Sequence, residues 1–525
     1  LTARGVGYFK TDNFEEDIEI PAPMINKAFD GDVVKIELID QKNTERQQAR
    51  VIEIIERQRM KFVGTLEKVS NSFFLRPDDR MYKDIFISKP KSKGAKDGDK
   101  VYVEIINWKD SKKSPEGKVL KVLGQKGKHE VEMQSIILEQ GISTDFPNKV
   151  EEEVKKIKEG YEKEYEKEIK NRKDFRESTT LTIDPVDAKD FDDAISIKRL
   201  ENNLFEIGVH IADVSYFVKE GTNLDEEARN RAFSVYLIDR TIPMLPEVLS
   251  NDLCSLNPKE NKLTFSAVFK ITSEGIVKDR WFGKTTIYSD KRFSYEAAQK
   301  IIDDKKGVFF QELNELNKIA KKLKIKNSKN GAIDFEADEV RFELDDKGKP
   351  VKVYKKERLE THKLVEEFML LANREVAEFK ETFIYRIHDL PDQEKIASLS
   401  ILLKALGYNL PVTNGVVKAK DINELFRKID GKSEESLIKT AAIRSMAKAV
   451  YSTKNIGHFG LAFEYYTHFT SPIRRYPDLI VHRLLNRHLN HGKIPQGEFS
   501  KFEMIAQNVS AKEVSAAEAE RASIK

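Results

Sequence analysis

The sequence predicts a multidomain protein in which two small all-β modules precede a large α+β domain. An internal repeat indicates the two modules: Asp17-Ile-Glu-Ile20 recurs as Asp84-Ile-Phe-Ile87, and Asp30-Gly-Asp32 recurs at the same offset as Asp97-Gly-Asp99. A repeated motif pair of this kind is typical of a duplicated module. Beyond the repeat, short apolar strands flank an aspartate-rich stretch, and later segments show the apolar periodicity of helices, which together predict the α+β domain.

Each repeat copy reads as short alternating strands, with an Asp-Gly turn signal before its last strand. Small all-β units of this length, with aromatic residues on their strands, suit the five-stranded oligonucleotide-binding barrel. We expect one barrel at 1–57 and a second at 58–125. A helical linker with opposite charges at helical spacing should follow at 126–178, and the α+β domain should occupy 179–525.

Composition narrows the class of protein. The 525 residues are enough for three or four domains, and 34% of them are charged although the net charge is only +3. Any nucleic-acid surface must therefore come from local clusters of Lys and Arg. The single cysteine, Cys254, excludes an internal disulfide and suits a reducing cytosol. No segment approaches the roughly 18 apolar residues of a membrane span, so we expect a cytoplasmic protein without membrane attachment.

The aspartate-rich stretch Leu181–Ile195 is the strongest chemical feature of the sequence. It carries Asp184, Asp187, Asp190, Asp192 and Asp193 between two apolar segments. Carboxylates this close raise one another's pKa unless a positive charge lies among them. A hard divalent cation with oxygen ligands answers that need, and two such ions can hold both the attacking and the leaving oxygen of a phosphodiester.

Spacing alone leaves other interpretations of this stretch open. It could be a solvated acidic loop or a calcium loop. A calcium-binding loop that began at Asp184 would have Gly at its sixth position and Glu at its twelfth. This chain has Lys189 and Ile195 at those positions, which does not match a calcium-binding loop. A catalytic metal loop and a structural or solvated loop therefore remain alternatives at this point.

The motif Asp-(five residues)-Asp-Phe-Asp-Asp-Ala resembles the signature of the ribonuclease II / ribonuclease R family of processive 3′→5′ exoribonucleases. Further matches occur in the order of that family: Gly208-Val-His-Ile-Ala-Asp-Val-Ser215, Tyr236 before Ile242-Pro-Met-Leu-Pro246, Leu253-Cys-Ser-Leu-Asn-Pro258, Gly331-Ala-Ile-Asp-Phe335 and Thr470-Ser-Pro-Ile-Arg-Arg-Tyr476. The resemblance implies a catalytic domain after two cold-shock-like barrels. It also leads us to expect a fragment that lacks the family's C-terminal oligonucleotide-binding barrel.

The resemblance implies roles for charged residues. Asp184, Asp190, Asp192 and Asp193 would carry the metal site, with Asp192 the one whose loss abolishes hydrolysis most completely. Arg474 matches the family's catalytic arginine. A fixed guanidinium at a turn suits phosphate because its planar fork donates two parallel hydrogen bonds.

The same resemblance implies RNA contacts. Tyr236 and Phe335 would hold the stacked 3′ bases, since aromatic stacking holds any base without reading sequence. Tyr295 would lie near the terminal nucleotides, and Glu366 near the terminal ribose, where a carboxylate can accept from a 2′-OH. Further candidate RNA contacts are Arg475, next to Arg474, and Glu520, the best match to a family glutamate in the last helix.

We therefore expect a monomeric exoribonuclease that uses Mg²⁺, with Mn²⁺ possible, and acts on single-stranded RNA or RNA with a 3′ overhang. By its resemblance to ribonuclease R it should also degrade structured RNA. Two alternatives remain: a catalytically silent RNA-binding protein with the same fold, which should lose acids from the aspartate loop, and a DNA exonuclease with similar metal chemistry.

Overall fold

The structure of the chain is a computed structural model. The structure describes residues 1–525 except 3–4, 12–13, 15, 40–45, 334–339, 346–349, 356, 380–383, 414, 492–495 and 525. The chain divides into two compact units, one built mainly from Leu1–Thr144 and the other mainly from Asp145–Asp345 and Pro350–Ala517. None of the helices in the described ranges is long and apolar enough to cross a membrane.

The first unit begins with a four-stranded sheet in the order β1-β2-β4-β3. Its strands are β1 (Gly7–Phe9), β2 (Ile18–Ile20), β3 (Val33–Ile39) and β4 (Gln48–Glu56). Alternate residues of β2 and β4 are buried and form a small core. The barrel predicted for 1–57 therefore shows four strands among its described residues.

A closed five-stranded barrel follows, in the order β5-β6-β7-β9-β8. Its strands are β5 (Lys61–Val69), β6 (Ser72–Pro77), β7 (Ile85–Ile87), β8 (Asp99–Asn107) and β9 (Glu116–Gln125). Helix α1 (His129–Glu139) closes the unit: Glu139 accepts from the Val63 amide at 3.1 Å and pairs with Arg59 at 2.5 Å. The all-β barrel expected in this part of the chain is present.

The second unit is organised around a seven-stranded sheet in the order β10-β17-β16-β13-β12-β11-β18. Its strands are β10 (Lys173–Asp174), β11 (Thr180–Asp184), β12 (Asp193–Arg199), β13 (Leu204–Ala212), β16 (Asn261–Thr272), β17 (Val277–Tyr288) and β18 (Lys291–Ser294). The central strands β13 and β16 are buried almost throughout, as expected where both faces of a sheet are covered. Three two-stranded pairs lie apart from this sheet: β14 (Val235–Tyr236) with β15 (Thr241–Ile242), β19 (Val340–Leu344) with β20 (Pro350–Lys355), and β21 (Tyr385–Ile387) with β22 (Val450–Ser452).

Helices pack around the sheet. They are α2 (Asn148–Glu168), α3 (Val214–Phe217), α4 (Asn223–Arg231), α5 (Tyr295–Asp304), α6 (Phe310–Lys329), α7 (Glu360–Phe379), α8 (Gln393–Ala405), α9 (Ala419–Ile429), α10 (Glu435–Ser445), α11 (Tyr476–His491) and α12 (Phe499–Ile524). The apolar faces of α7 and α11 join the sheet in one core, whereas α8, α9 and α10 bury a smaller core of their own. The predicted strands on both sides of the aspartate loop and the amphipathic helix α7 are thus confirmed.

Candidate active site

The aspartate loop connects β11 and β12, two neighbouring antiparallel strands of the large sheet. Asp184 is the last residue of β11, and Asp193 is the first residue of β12. The backbone of the loop is held from β13, because the Ala212 amide donates to the Asp192 carbonyl at 2.9 Å. Ser255 holds it from the other side: its hydroxyl donates to the Lys189 carbonyl at 2.8 Å. The loop is therefore a fixed platform for its carboxylates.

Burial of the carboxylates sets the electrostatics of this platform. Desolvation raises the pKa of Asp184 to about 8, with the charge of Asp193 as the next cause, and raises the pKa of Asp193 to about 6. The pKa values of Asp190 and Asp192 are raised in the same way. Such a cluster binds positive charge strongly, since a cation offsets both the desolvation and the mutual repulsion of the carboxylates.

The donor chemistry fits a hard divalent cation. Asp184 Oδ2 and Asp192 Oδ2 are buried, and neither accepts a hydrogen bond from any described residue. Across the described ranges, no three His, Cys, Asp or Glu side chains converge closely enough to count as a preformed metal cage. The site thus offers carboxylate oxygens that lack hydrogen-bond donors, rather than a closed set of protein ligands, as suits an ion that keeps water and substrate in its shell.

The Ser471–Arg475 turn faces the loop, although it is far away in sequence. The Ile473 amide donates to Asp192 Oδ1 at 2.8 Å, and Arg474 Nε lies 3.4 Å from Asp192 Oδ2. The Arg474 guanidinium also donates to the Ser471 hydroxyl at 2.9 Å, and its side chain is still 41% exposed. Arg474 is therefore both anchored beside Asp192 and open to a ligand.

Arg475 has a different environment. Its guanidinium donates to Asp478 Oδ1 at 2.7 Å, and the same oxygen accepts from the Ser471 amide at 2.8 Å. The backbone of the turn bonds to the segment before β14, where the Ser234 amide donates to the Arg474 carbonyl at 3.0 Å. Arg475 thus stabilises the turn from its buried side.

Two predicted aromatic contacts lie at this site. Tyr236, on β14, is 38% exposed. Although the residue as a whole is partly exposed, its hydroxyl is largely desolvated, which raises the pKa of Tyr236. The charge of Arg474 lowers this pKa and the charges of Asp190 and Asp192 raise it, so the hydroxyl lies near all three side chains. Tyr295 begins α5 and is likewise influenced by Asp193 and Asp184.

Tyr295 is also fixed by α7. Its ring stacks on that of His362 at a centroid separation of 3.9 Å and an interplanar angle of 10°. One turn further along α7, Glu366 is exposed and pairs with Arg358. Phe335 lies outside the described residues.

The last helix presents several glutamates. Glu520 is exposed and lies beyond Ala517, where the second unit ends. Glu513 instead forms a two-bond pair with Arg386, at 2.6 and 3.0 Å. The predicted role of Glu520 therefore stays a prediction, whereas Glu513 is paired with Arg386 on β21.

Several supporting residues were not singled out from the sequence. Arg292 donates to the Pro185 and Val186 carbonyls at 2.5 and 2.8 Å and so holds the first half of the loop. Asp213 is fully buried between Arg172 and Lys284, immediately after the residue that holds Asp192. Asp213 lies inside a motif quoted above, but its buried ion pairs join segments too distant in sequence to be inferred from it.

Comparison with known proteins identifies the family. The RNB domain matches residues 172–491, the Cold shock domain matches 74–147, and the Ribonuclease B OB domain matches 1–54. Ribonuclease R of Aquifex aeolicus (strain VF5) is 36% identical over 501 residues, which cover 93% of this chain and 70% of that protein. Ribonuclease R of Thermotoga maritima is 38% identical over 535 residues, covering 98% of this chain and 74% of that protein. This chain belongs to the ribonuclease R family.

Solved structures agree with this assignment. The Mycoplasma genitalium RNase R in complex with ribose methylated single-stranded RNA superposes with a TM-score of 0.90 at 26% identity, covering 100% of this chain and 84% of that one. Yeast Ssd1, a pseudonuclease, superposes with a TM-score of 0.77 at 19% identity over 99% of this chain and 72% of its own, which shows the fold alone. The expected fold class, two N-terminal β modules before an RNB domain, is confirmed, and RNB ribonucleases are divalent-metal-dependent enzymes.

Proposed function

We propose that this ribonuclease R family member, a 3′→5′ exoribonuclease, hydrolyses RNA processively from the 3′ end and releases nucleoside 5′-monophosphates. The observation that carries the proposal is the contact of Asp192 with the Ser471–Arg475 turn, where one carboxylate meets a backbone amide and a guanidinium. This contact brings acidic groups and a phosphate-binding side chain to the same point. Metal-dependent hydrolysis of a phosphodiester uses both, the carboxylates to hold the cation and the guanidinium to stabilise the phosphate charge.

We assign the metal site to Asp184, Asp190, Asp192 and Asp193, with Mg²⁺ preferred and Mn²⁺ as the alternative. When bound, a divalent cation supplies positive charge for the phosphate oxygens and lowers the pKa of water. Because Asp192 Oδ1 is already held by the Ile473 amide, its Oδ2 is the oxygen left for the metal site.

Arg474 acts on the phosphate. Its guanidinium is oriented by Ser471 and Asp192 before the substrate arrives, so that little reorganisation is needed during the reaction. From this position it donates to the phosphate oxygens as they gain negative charge. Arg475 preserves the turn through Asp478, and a direct contact of Arg475 with RNA stays a prediction.

The aromatic residues hold the 3′ end. Tyr236 and Tyr295 offer rings on which bases stack beside the carboxylates, and Phe335 is the further predicted base contact. Glu366 is exposed on the same helix as His362, the residue that fixes Tyr295. A carboxylate there can accept a hydrogen bond from a ribose 2′-OH, which DNA lacks, and Glu520 is a second predicted contact.

The substrate we propose is single-stranded RNA or RNA with a 3′ overhang, including structured RNA. Solved structures of Mycoplasma genitalium RNase R hold ribose methylated single-stranded RNA and double-stranded RNA, the latter at a TM-score of 0.82 and 27% identity. We further propose a monomer that works in the cytoplasm, where a buried free thiol such as Cys254 stays reduced.

Digestion of a 5′-labelled RNA with Mg²⁺ tests the proposal, with the matched DNA and the Asp192→Asn variant in parallel. The expected result is direct conversion of RNA to a short end product without a ladder of intermediates, absent on DNA and in the variant. RNA that is bound but left intact by the native chain would instead support the silent RNA-binding alternative. Equal degradation of DNA would contradict the ribose preference.

A further inference from the structure

A cavity lies between α6 and α7, and Glu366 is not among the residues that line it. Its volume is about 450 Å³, which is within the usual range of small-molecule sites. Its lining includes the apolar side chains of Ala320 and Ile325 on α6 and Leu364 on α7. We call this cavity the α6–α7 slot. Nothing in the proposed hydrolysis of RNA uses it.

A buried carboxyl lines one end of the slot. Glu367 is only 7% exposed, and its Oε2 accepts from Asn327 at 2.9 Å. Burial raises its pKa to about 7, with the charge of neighbouring Glu366 as the next cause. A carboxyl held in an apolar wall with one oxygen already bonded is costly to bury unless a further donor reaches it. This end of the slot therefore suits a ligand rich in N–H groups.

An unpaired amide lines the other end. Asn317 is only 6% exposed and lines the slot, where solvent still reaches its amide, which makes no hydrogen bond to a described residue. This amide can therefore donate its N–H groups to an acceptor of a bound ligand. Asn317 lies ten residues before Asn327 on α6, or about 15 Å at 1.5 Å per residue. That separation exceeds a single base and suits an extended nucleotide, whose base and phosphates are at opposite ends.

Lysines surround the slot. Lys321 and Lys363 share one carboxylate, that of Glu360, at 3.0 and 3.1 Å. Lys324 and Lys329 also line the opening. Two ammonium groups on one carboxylate leave a net positive charge near the Asn317 end, where an anionic group can be bound.

We propose that the α6–α7 slot binds a guanine nucleotide, with the base on Glu367 and the phosphates at the Asn317 end. Above pH of about 7 the Glu367 carboxyl is mainly ionised, and an ionised carboxylate only accepts hydrogen bonds. The guanine edge presents N1–H and N2–H₂ side by side as donors, whereas adenine presents an acceptor beside its single amino group. Leu364 and Ile325 supply apolar faces for the base, and Asn317 with Lys321 supplies donors for phosphate.

The site is separate from the hydrolytic centre. Glu366, the neighbour of Glu367, does not line the slot and pairs with Arg358, one turn along α7 from His362, the residue that stacks on Tyr295 of α5. Adjacent glutamates of one helix therefore face two different sites. This pair gives a matched control, because the same Glu→Gln change can be made at either position.

Calorimetric titration of the full chain at pH 8 in EDTA tests the proposal, with GDP, IDP and ADP as probes, because at this pH Glu367 is mainly ionised with or without the charge of Glu366. GDP should bind, and ADP should bind at least tenfold more weakly, as expected for loss of a two-bond base contact. IDP, which lacks the exocyclic amine, should fall between them. Glu367→Gln should lower the affinity for GDP at least tenfold and leave the affinity for ADP unchanged. Glu366→Gln and Asp192→Asn should bind GDP with the affinity of the native chain.

The phosphate end is tested by Asn317→Asp, which keeps the shape of the side chain and adds a negative charge. It should lower the affinity for GDP severalfold without lowering the affinity for guanosine. As a control for folding, the unfolding midpoints of all variants should stay near the native value. Absence of GDP binding, equal affinity for GDP and ADP, or loss of GDP binding in Glu366→Gln rather than Glu367→Gln would each overturn the proposal.

Discussion

The buried ion pair of Asp213 is expected to hold the edge of the sheet that supports Asp192. Asp213 accepts from Arg172 at 2.7 Å and from Lys284 at 2.8 Å, and the side chains of Asp213 and Arg172 are both fully buried. It directly follows Ala212, whose amide holds the backbone of Asp192. We predict that Asp213→Asn, which keeps the side-chain shape and removes the charge, strongly destabilises the second unit and lowers activity.

The magnitude follows from burial. Breaking a buried pair by removing one partner costs about 3–5 kcal/mol, because the other charge stays buried without compensation. The same sheet provides a matched control, since Asp279 pairs with Lys270 at 2.8 Å on the surface, where both side chains are about half exposed. An exposed pair contributes little because water screens its charges, so Asp279→Asn should leave the free energy of unfolding close to that of the native chain.

Urea unfolding followed by Trp281 fluorescence measures the difference. Trp281 lies on β17 of this sheet, and a Trp108→Phe background removes the other indole of the chain. Because the pKa of Asp213 is held below its ordinary value, its contribution is present above pH of about 4 and is lost as pH falls through the folded pKa. The reasoning is refuted if Asp213→Asn and Asp279→Asn lower the urea midpoint equally, or if the two proteins differ as much in acid as at neutral pH.

Further outcomes follow from the site. Arg474→Ala should lower the single-turnover rate by about 10²–10³-fold with a smaller change in RNA affinity, as measured by rapid quench and filter binding, because its guanidinium acts on developing charge. Tyr236→Ala should lengthen the end product seen on a sequencing gel, since a stacked base contributes about 1–3 kcal/mol. Burial lowers the pKa of His210 to about 3, so the unfolded chain binds a proton there below pH of about 6.5 and the folded chain does not. The free energy of unfolding should therefore fall as pH drops from 6.5 towards 3. In His210→Gln the slope of this fall should be smaller, by the amount that corresponds to about one proton fewer taken up on unfolding.

Local patterns were sufficient for much of the fold. The apolar segments on both sides of the aspartates form β11 and β12, and the spaced apolar residues after Thr361 form α7. The repeated Asp-Gly motifs correspond to two consecutive β modules. Each of these depends on periodicity within a few residues of chain, which a sequence displays directly.

Contacts between residues far apart in the chain could not be inferred from the sequence. The Ile473 amide and Asp192 are 281 residues apart, and only folding shows that they are hydrogen-bonded. The two adjacent arginines could not be separated by pattern, yet Arg475 is paired with Asp478 and Arg474 is partly exposed. In the last helix, Glu513 pairs with Arg386, a contact that depends on the position of β21 in the fold.

The central claim is that Asp192, Arg474 and the neighbouring carboxylates form the hydrolytic site. The most direct test is the single-turnover rate of 3′-terminal nucleotide release at saturating Mg²⁺ for Asp192→Asn and Asp187→Asn. Both residues lie on the same loop, but Asp187 is exposed and Asp192 is buried against Ile473 and Arg474. The rate should fall by several orders of magnitude in Asp192→Asn, with RNA still bound, and stay near native in Asp187→Asn. Equal rates in the two variants would contradict the assignment.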